Sequence, residues 1–143
     1  MIQILTGIRN TSAALDAEQV RLDVISQNIA NAQTSKDVDG KPYQRKVVVF
    51  DTALQNAMSG TDANGNLPAI QVAKVERDNR PPVLQYDPGN PDADAHGFIS
   101  MPNINIHEEM ADLISASRTY EANLAVVKNA RSMAMQTLSI GKS

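Results

Sequence analysis

The chain has 143 residues, of which 42% are hydrophobic, and a formal net charge of −3 at pH 7; this is enough sequence for one domain with a modest core. The mild negative charge argues against a nucleic-acid partner or an anionic membrane surface, because both attract strongly basic chains. The absence of cysteine excludes disulfides, thiolate metal sites and cysteine nucleophiles.

Residues 1–34 form the first predicted element, a long helix used for assembly. Apolar residues recur at seven-residue intervals, which is the spacing of a coiled-coil seam, and no proline interrupts the segment. The seam consists of Ile8, Leu15, Leu22 and Ile29, with Ile25 in the companion row.

A second apolar stripe lies two residues away from this seam. Two residues turn about 200° around a helix, so the two stripes face nearly opposite directions. A helix that is apolar on two sides is expected to be covered on two sides, and we predict that neighbouring subunits complete the cover. The second stripe consists of Ala13, Ala17, Val20 and Val24.

The middle region, residues 35–104, is predicted to be rich in β-structure. Short apolar or alternating runs favour strands, and turn signals such as Pro88-Gly89 separate them. A sheet of this size is marginal by itself, so we expect it to pack on the helices or on a neighbouring molecule. The strand candidates are residues 43–51, 69–77, 83–86 and 98–101.

The C-terminal segment, residues 105–143, repeats the helical design. Asn105, with Glu108 three residues later, resembles a capping arrangement and places the helix start there. The apolar seam alternates by threes and fours, although Arg131 interrupts it. The seam consists of Met110, Leu113, Ser117, Tyr120, Leu124, Val127, Arg131, Ala134 and Leu138. A second row, about 200° away, consists of Val126, Met133 and Ile140.

The predicted fold is therefore mainly α with a small β insertion. The long N- and C-terminal helices are expected to pack as an antiparallel, coiled-coil-like pair, with a short β-rich segment between them. Because the second stripes remain uncovered in such a pair, the pattern predicts a subunit of a larger assembly whose like copies meet through a helical, non-closing interface.

Candidate chemistry is sparse. The run Asp92-Ala93-Asp94-Ala95-His96-Gly97 echoes the start of a calcium loop, but the twelfth position is Asn103, which cannot supply a bidentate carboxylate. A polar turn is favoured, and a free-standing helical adaptor or calcium-binding module is the alternative. No nucleophile elbow or phosphate loop occurs. We expect no catalytic site, cofactor or small-molecule substrate.

Polar residues on the helices carry more information. Asn28 and Asn31 alternate with small alanines near the close of the first helix, although asparagine is a poor helix-interior residue. They indicate either hydrogen bonds to another segment or chain at close approach, or simple capping of a helix end. A cluster on the second helix also has two interpretations. Its tyrosine and arginine are favoured interface anchors; alternatively, Arg118 and Glu121 form an ordinary ion pair at the surface of the helix. This cluster consists of Arg118, Tyr120, Glu121 and Asn123.

Three runs resemble a known family. The run SQNIANAQT, from Ser26 to Thr34, resembles the N-terminal signature shared by rod, hook and hook-associated proteins of the bacterial flagellum. The run SASRTYEANLAVVKNARSM, from Ser115, resembles the matching C-terminal region. The run YDPGNPDADAHGFISMPNIN, from Tyr86, together with the short length, resembles proximal-rod members rather than the longer distal-rod or hook proteins. Asn90 stands where many members have His, and residues 55–67 match no part of the pattern.

The resemblance implies a non-enzymatic structural subunit of the proximal rod, or of another axial part of the flagellum. Such proteins leave the cytoplasm unfolded through the flagellar type III export apparatus, without a cleaved signal peptide. They polymerise in the periplasm into the rod of the basal body, which transmits motor torque and surrounds an export channel. The implied partners are other copies, other rod proteins, the MS ring at the rod base and the export apparatus, with no nucleic acid and no membrane insertion.

In such an assembly the terminal helices form the inner tube, and the middle segment lies outside it. Because the helices expose their stripes before assembly, we expect them to be disordered in the monomer and to fold on assembly. The residues expected at the assembly interface are Ile8, Leu15, Leu22, Ile25, Asn28, Ile29, Asn31, Met110, Leu113, Arg118, Tyr120, Glu121, Asn123, Leu124, Val127, Ala134 and Leu138.

Overall fold

The computed structural model describes the backbone of residues 2–37, 39–52 and 70–140. Its helix and strand side chains are described except at residues 2–6, 51–52, 70–71, 73 and 140. Residues 55–67, and the side chain of Ile140 in the predicted second row, therefore lie outside the description.

The described chain is mainly helical, with a small β insertion between two long helices, as the sequence predicted. The four strands lie within a few residues of their predicted positions. Neither described helix contains an apolar stretch that could cross a membrane. The elements, in chain order, are α1 (Ile2–Ala30), β1 (Lys46–Thr52), β2 (Ile70–Arg77), β3 (Val83–Tyr86), β4 (Phe98–Met101) and α2 (Ile106–Ile140).

Asparagines stabilise the two facing helix ends. At the end of α1, the carbonyl of Gln27 accepts two hydrogen bonds from Asn31, one from the side-chain Nδ2 at 2.8 Å and one from the backbone N–H at 3.0 Å. At the start of α2, Asn105 Oδ1 accepts the backbone N–H of His107 at 3.1 Å. The latter is the N-terminal cap that the sequence predicted.

The strands form two separate antiparallel hairpins rather than one sheet. β1 pairs with β2, and a bulge after Val49 shifts their register. β3 pairs with β4, with Leu84 opposite Ser100 and Tyr86 opposite Phe98. The first hairpin packs on α1, as expected of a sheet too small to be stable alone.

The buried face of α1 includes part of the predicted second stripe and Ile25 of the companion row, but not the predicted seven-residue seam. Ala17, Val24 and Ile25 are at most 6% exposed, whereas the predicted seven-residue seam is half-buried. The helix contacts both α2 and the first hairpin, and burial is deepest where these two covers meet. The expectation that neighbouring subunits must cover the second stripe is corrected at Ala17 and Val24, which the chain's own elements already bury, whereas Val20 is half-buried in a cleft beside Val75 of the first hairpin.

The two helices run antiparallel, since Asn28 near the end of α1 contacts Glu109 near the start of α2 and the helices are in extensive contact. Ala116 is fully buried at this contact, whereas the seam ends Met110 and Leu138 are 51% and 59% exposed. Both helices rise about 1.5 Å per residue, so Leu138 lies beyond the level of the first turn of α1 in a straight pair. The half-buried seam residues of α2 are Leu113, Ser117, Tyr120, Leu124, Val127 and Ala134.

The predicted second row of α2 has no cover in the described chain. Val126 is 54% exposed and Met133 is 57% exposed. In the described part of α2 after Ala116, no residue is buried. The helix pair is therefore well packed only at the end where α1 closes and α2 begins, which is also where the first hairpin docks.

A pair of isoleucine substitutions tests this uneven packing. Ile25→Ala is expected to lower the free energy of unfolding by about 2–4 kcal/mol, because Ile25 is 6% exposed and its truncation leaves a cavity. Ile114→Ala is the matched control and should change it by less than about 0.5 kcal/mol, since Ile114 is 55% exposed. Urea denaturation followed by circular dichroism measures both, and equal losses would contradict the described packing.

Candidate functional site

The side chain of Asn28 forms the centre of a buried polar cluster in which all four hydrogen-bonding positions of its amide are used. Asn28 is 1% exposed. Its Nδ2 donates to the carbonyl of Lys46 at 2.8 Å and to Glu109 Oε2 at 3.1 Å. Its Oδ1 accepts the backbone N–H of Lys46 at 2.9 Å and the hydroxyl of Tyr43 at 3.2 Å. A buried amide that is fully paired in this way fixes the relative positions of its partners.

Glu109 extends the cluster into the first turn of α2. Its side chain is 1% exposed, and its Oε1 accepts a hydrogen bond of 2.6 Å from Arg45 Nε. A buried carboxylate requires such pairing, because the interior of a protein does not solvate its charge. The carboxylate also lies in the N-terminal turn of α2, where the helix dipole favours negative charge.

Arg45 connects this buried core to an exposed ion pair. Its terminal nitrogen lies 3.8 Å from Asp78 Oδ2, and Asp78 accepts 2.7 Å and 3.0 Å hydrogen bonds from the side chain and backbone N–H of Arg80. These bonds to Arg80 hold the pKa of Asp78 below its ordinary value. Burial raises the pKa of Tyr43, and the carboxylates of Asp37 and Glu109 add to that shift, so the phenol is a hydrogen-bond donor at neutral pH.

The two predicted interpretations of the helix-end asparagines divide between the two residues. Asn28 bonds to distant segments of its own chain, as just described. Asn31 makes local bonds, because its Nδ2 reaches Gln27 and its Oδ1 lies 3.4 Å from the hydroxyl of Thr34. Asn28 and Asn31 were both expected at an interface between subunits; the Asn28 amide is fully paired within its own chain, and for Asn31 the expectation stays a prediction.

Two residues that follow α1, Ser35 and Lys36, bind the loop between β3 and β4. Asp92 accepts hydrogen bonds from Ser35 Oγ at 2.8 Å and Lys36 Nζ at 2.7 Å, and these contacts lower the pKa of the carboxyl. Asp94 Oδ1 accepts the backbone N–H groups of His96 and Phe98 at 2.8 Å and 2.9 Å. The two carboxylates of the calcium-like run are thus engaged separately, and in the described residues no three His, Asp or Glu side chains cluster as metal ligands would.

Gly97 completes this turn. Its φ of +81° lies in the left-handed region, which side chains rarely adopt. A Cβ at this position would lie 3.0 Å from Tyr86 Cε2 and 3.2 Å from Pro88 Cβ. The run therefore folds as a tight polar turn whose glycine is required sterically.

The four residues of the predicted cluster on the second helix lie on two different sides of α2. Tyr120 and Asn123 are half-buried on the side of α1, whereas Arg118 and Glu121 are exposed, and no ion pair joins these two in the described structure. The structure therefore leaves Arg118 and Glu121 free to contact another molecule. The fully buried Ala116 precedes them, and its small size permits close approach of the helices.

Sequence reasoning missed three residues of the buried cluster: Tyr43, Arg45 and Glu109. Tyr43 was predicted only as the beginning of a strand, and no role was predicted for Arg45 or Glu109. The one available signal was Asn28 itself, since a buried amide inside a helix needs partners from other segments. Nothing in the sequence indicates which residues those partners are.

Removal of the Asn28 amide tests the cluster. Asn28→Ala is expected to lower the free energy of unfolding by about 3 kcal/mol, because it leaves the Lys46 backbone groups and Glu109 buried with fewer partners. Asn31→Ala is the control and should cost about 0.5–1 kcal/mol, because only local bonds are lost. Urea denaturation gives both values, and a loss at Asn28 no larger than that at Asn31 would show that the cluster contributes little.

The lowered carboxyl pKa values predict acid sensitivity. A carboxyl whose pKa is lower in the folded than in the unfolded chain stabilises the fold above its unfolded value of about 3.9, and this contribution disappears as the pH falls through the folded value. Asp78 is shifted in this direction. We therefore expect the urea concentration at the unfolding midpoint to decrease when the pH is lowered below about 4, and to decrease less in Asp78→Asn. An identical acid profile in the two proteins would exclude a contribution from Asp78.

Comparison with known proteins places these features in a family. Residues 8–35 match the family described as "Flagella basal body rod protein", and residues 95–140 match the one described as "Flagellar basal body rod FlgEFG protein C-terminal". A flagellar basal-body rod protein FlgC of Borreliella burgdorferi is 40% identical, covering 96% of this chain and 97% of the relative. FlgC of Bacillus subtilis is 40% identical, over 92% and 94%, and FlgC of Escherichia coli O6:H1 is 42% identical, over 91% and 92%. The chain therefore belongs to the FlgC family of flagellar basal-body rod proteins.

Proposed function

We propose that the chain is a structural subunit of the flagellar basal-body rod that polymerises through α1 and α2. Its membership of the FlgC family supports the rod assignment, because the match extends over nearly the whole chain. The observation that carries the polymerisation is the apolar surface that α2 leaves without cover. A structural role requires the shape and surface of the folded chain rather than a catalytic centre.

The exposed second row of α2 supports docking by other rod subunits. Val126 and Met133 are both more than half exposed, and they lie seven residues apart on one side of the helix. Large exposed hydrophobic side chains in a row are typical of protein interfaces, especially where the helix's other side already packs within its own chain. A neighbouring helix laid along this row would complete the cover that α1 provides on the opposite side.

The uneven packing of the helix pair supports the same proposal. The buried residues of the helix pair lie between Ala17 of α1 and Ala32 just after it, and at Glu109 and Ala116 of α2. The remaining part of the pair has little core of its own, so neighbouring subunits in the rod would supply most of its stabilisation. The free chain would then be folded around the Asn28 cluster, and only the open part of the helix pair would be disordered in the monomer and order on polymerisation.

The finer parts of the proposal follow the family resemblance. The subunit is exported through the flagellar type III apparatus without a cleaved signal peptide, and it assembles in the periplasm around the export channel. It contacts other copies of itself, other rod proteins and the MS ring at the rod base. In this position it transmits torque from the motor as part of a drive shaft, and it performs no catalysis.

A charge placed on the exposed row tests polymerisation. Val126→Asp is expected to abolish swimming and the recovery of complete rods, because a buried unpaired carboxylate at an interface costs several kcal/mol. The fold of the free chain should be unchanged, since Val126 is 54% exposed. Motility in soft agar and electron microscopy of isolated basal bodies measure assembly, and urea denaturation measures the fold.

Asn79→Asp is the control for added charge. Asn79 is exposed in the segment between β2 and β3, away from the helix row, so this variant should swim normally. Normal motility of both variants would contradict polymerisation through α2. Unfolding of the free Val126→Asp chain would instead show that the row is covered within the subunit.

A further inference from the structure

The second hairpin carries an exposed aromatic face, defined here by Leu84, Tyr86 and Phe98. Leu84 and Tyr86 are 65% and 64% exposed, and Phe98 is 41% exposed. The register places the three on one side of the hairpin, since Tyr86 lies opposite Phe98 and alternate residues share a face. The two rings meet edge to face with centroids 5.3 Å apart, so the face is pre-organised.

Negative charge borders this aromatic face. The loop of residues 87–97 contains three aspartates and no lysine or arginine. Asp92 is paired with Lys36, whereas Asp87 and Asp94 have no ion-pair partner in the described structure. Asp87 adjoins Tyr86 in the chain, and the Asp94 side chain is bonded to the backbone N–H of Phe98. The surface is therefore apolar at its centre and acidic at its edge.

The last turns of α2 carry a surface of opposite character, the basic face, which consists of Lys128, Arg131, Met135 and Leu138. The spacings of three, four and three residues place these side chains on one side of the helix. Met135 and Leu138 are 62% and 59% exposed, and both cations are exposed. Residues 122–140 contain no aspartate or glutamate, and neither cation forms an ion pair in the described structure.

We propose that the aromatic face of one copy docks on the basic face of a second copy of this chain. Each surface offers apolar groups beside two unpaired charges, and the charges are of opposite sign. Thioether sulfur packs favourably against aromatic rings, and cations favour their faces, so Met135 and Arg131 suit Tyr86 and Phe98 chemically. The charge complementarity selects the second copy as the occupant, because this chain itself presents both surfaces.

The two faces lie at opposite ends of the subunit, which decides the geometry of the contact. The second hairpin is held near the close of α1 through Ser35 and Lys36, whereas Lys128 to Leu138 lie toward the far end of the helix pair. A contact between unlike faces is heterologous and propagates from copy to copy without closing. This inference rests on the proposed rod function and names one contact within it, distinct from the Val126 row.

Engineered cysteines test the contact, because the chain has no cysteine of its own. Cells carrying Tyr86→Cys with Met135→Cys in place of the native chain are treated with a short bismaleimide crosslinker. Basal bodies are then isolated and analysed on denaturing gels. The expected result is a ladder of crosslinked multimers of this chain, identified by mass spectrometry, since each copy would carry one cysteine at each unlike face.

The matched control is Tyr86→Cys with Val126→Cys. Val126 is exposed to a similar extent on the same helix but points in a different direction, so this pair should give no ladder. Equal ladders in both strains, no ladder in motile cells, or crosslinks only to a different protein would overturn the proposal while leaving the rod function intact. Normal swimming of cells that lack the chain would instead overturn the rod function.

A charge exchange provides a second measurement on the same gels. Lys128→Glu in the cysteine-bearing chain is expected to lower the crosslinked fraction by about twofold to fivefold, and the further change Asp87→Lys should restore it. If the first cysteine pair blocks motility, Phe98→Cys with Leu138→Cys samples the same two faces. Failure of both cysteine pairs to crosslink, or an unchanged ladder in Lys128→Glu, would contradict the proposed docking.

Discussion

The four hydrogen bonds of the Asn28 amide join segments that are far apart in the sequence: the end of α1, the approach to β1, and the first turn of α2. Because the amide is buried, each bond must be present in the folded chain, and each partner must occupy one position. The ion pair with Arg45 compensates the buried negative charge of Glu109. The relative placement of the helices and the first hairpin depends on this cluster.

Two unlike parts of the subunit follow from this constraint. Near the cluster, α1 is covered by α2 and by the first hairpin, so its buried residues form a small core with Ala116 of α2. Away from the cluster, the described part of α2 beyond Ala116 has no buried residue. The subunit is complete at one end and open at the other, which is the form expected of a building block that neighbours finish.

The two signature runs have different roles in the structure. The Ser26–Thr34 run organises the subunit internally, through Asn28 in the cluster and Asn31 at the helix end. Ser35 and Lys36, directly after it, hold the second hairpin through Asp92. The C-terminal run instead divides its residues between the α1 contact and the open surface. The two signature runs therefore both contribute to the internal packing of the subunit, and the C-terminal run also contributes to its open surface.

The sequence by itself determined the two helices, the asparagine cap at Asn105 and the four strands, because periodicity, capping and β-propensity are local properties. It also identified the family, since the signature runs are contiguous. Only the tertiary structure decided which face of α1 is buried, since that depends on where α2 and the first hairpin meet. The partners of Asn28 were decided there as well: Glu109 lies 81 positions away, and no local pattern specifies which distant carboxylate a buried amide will contact.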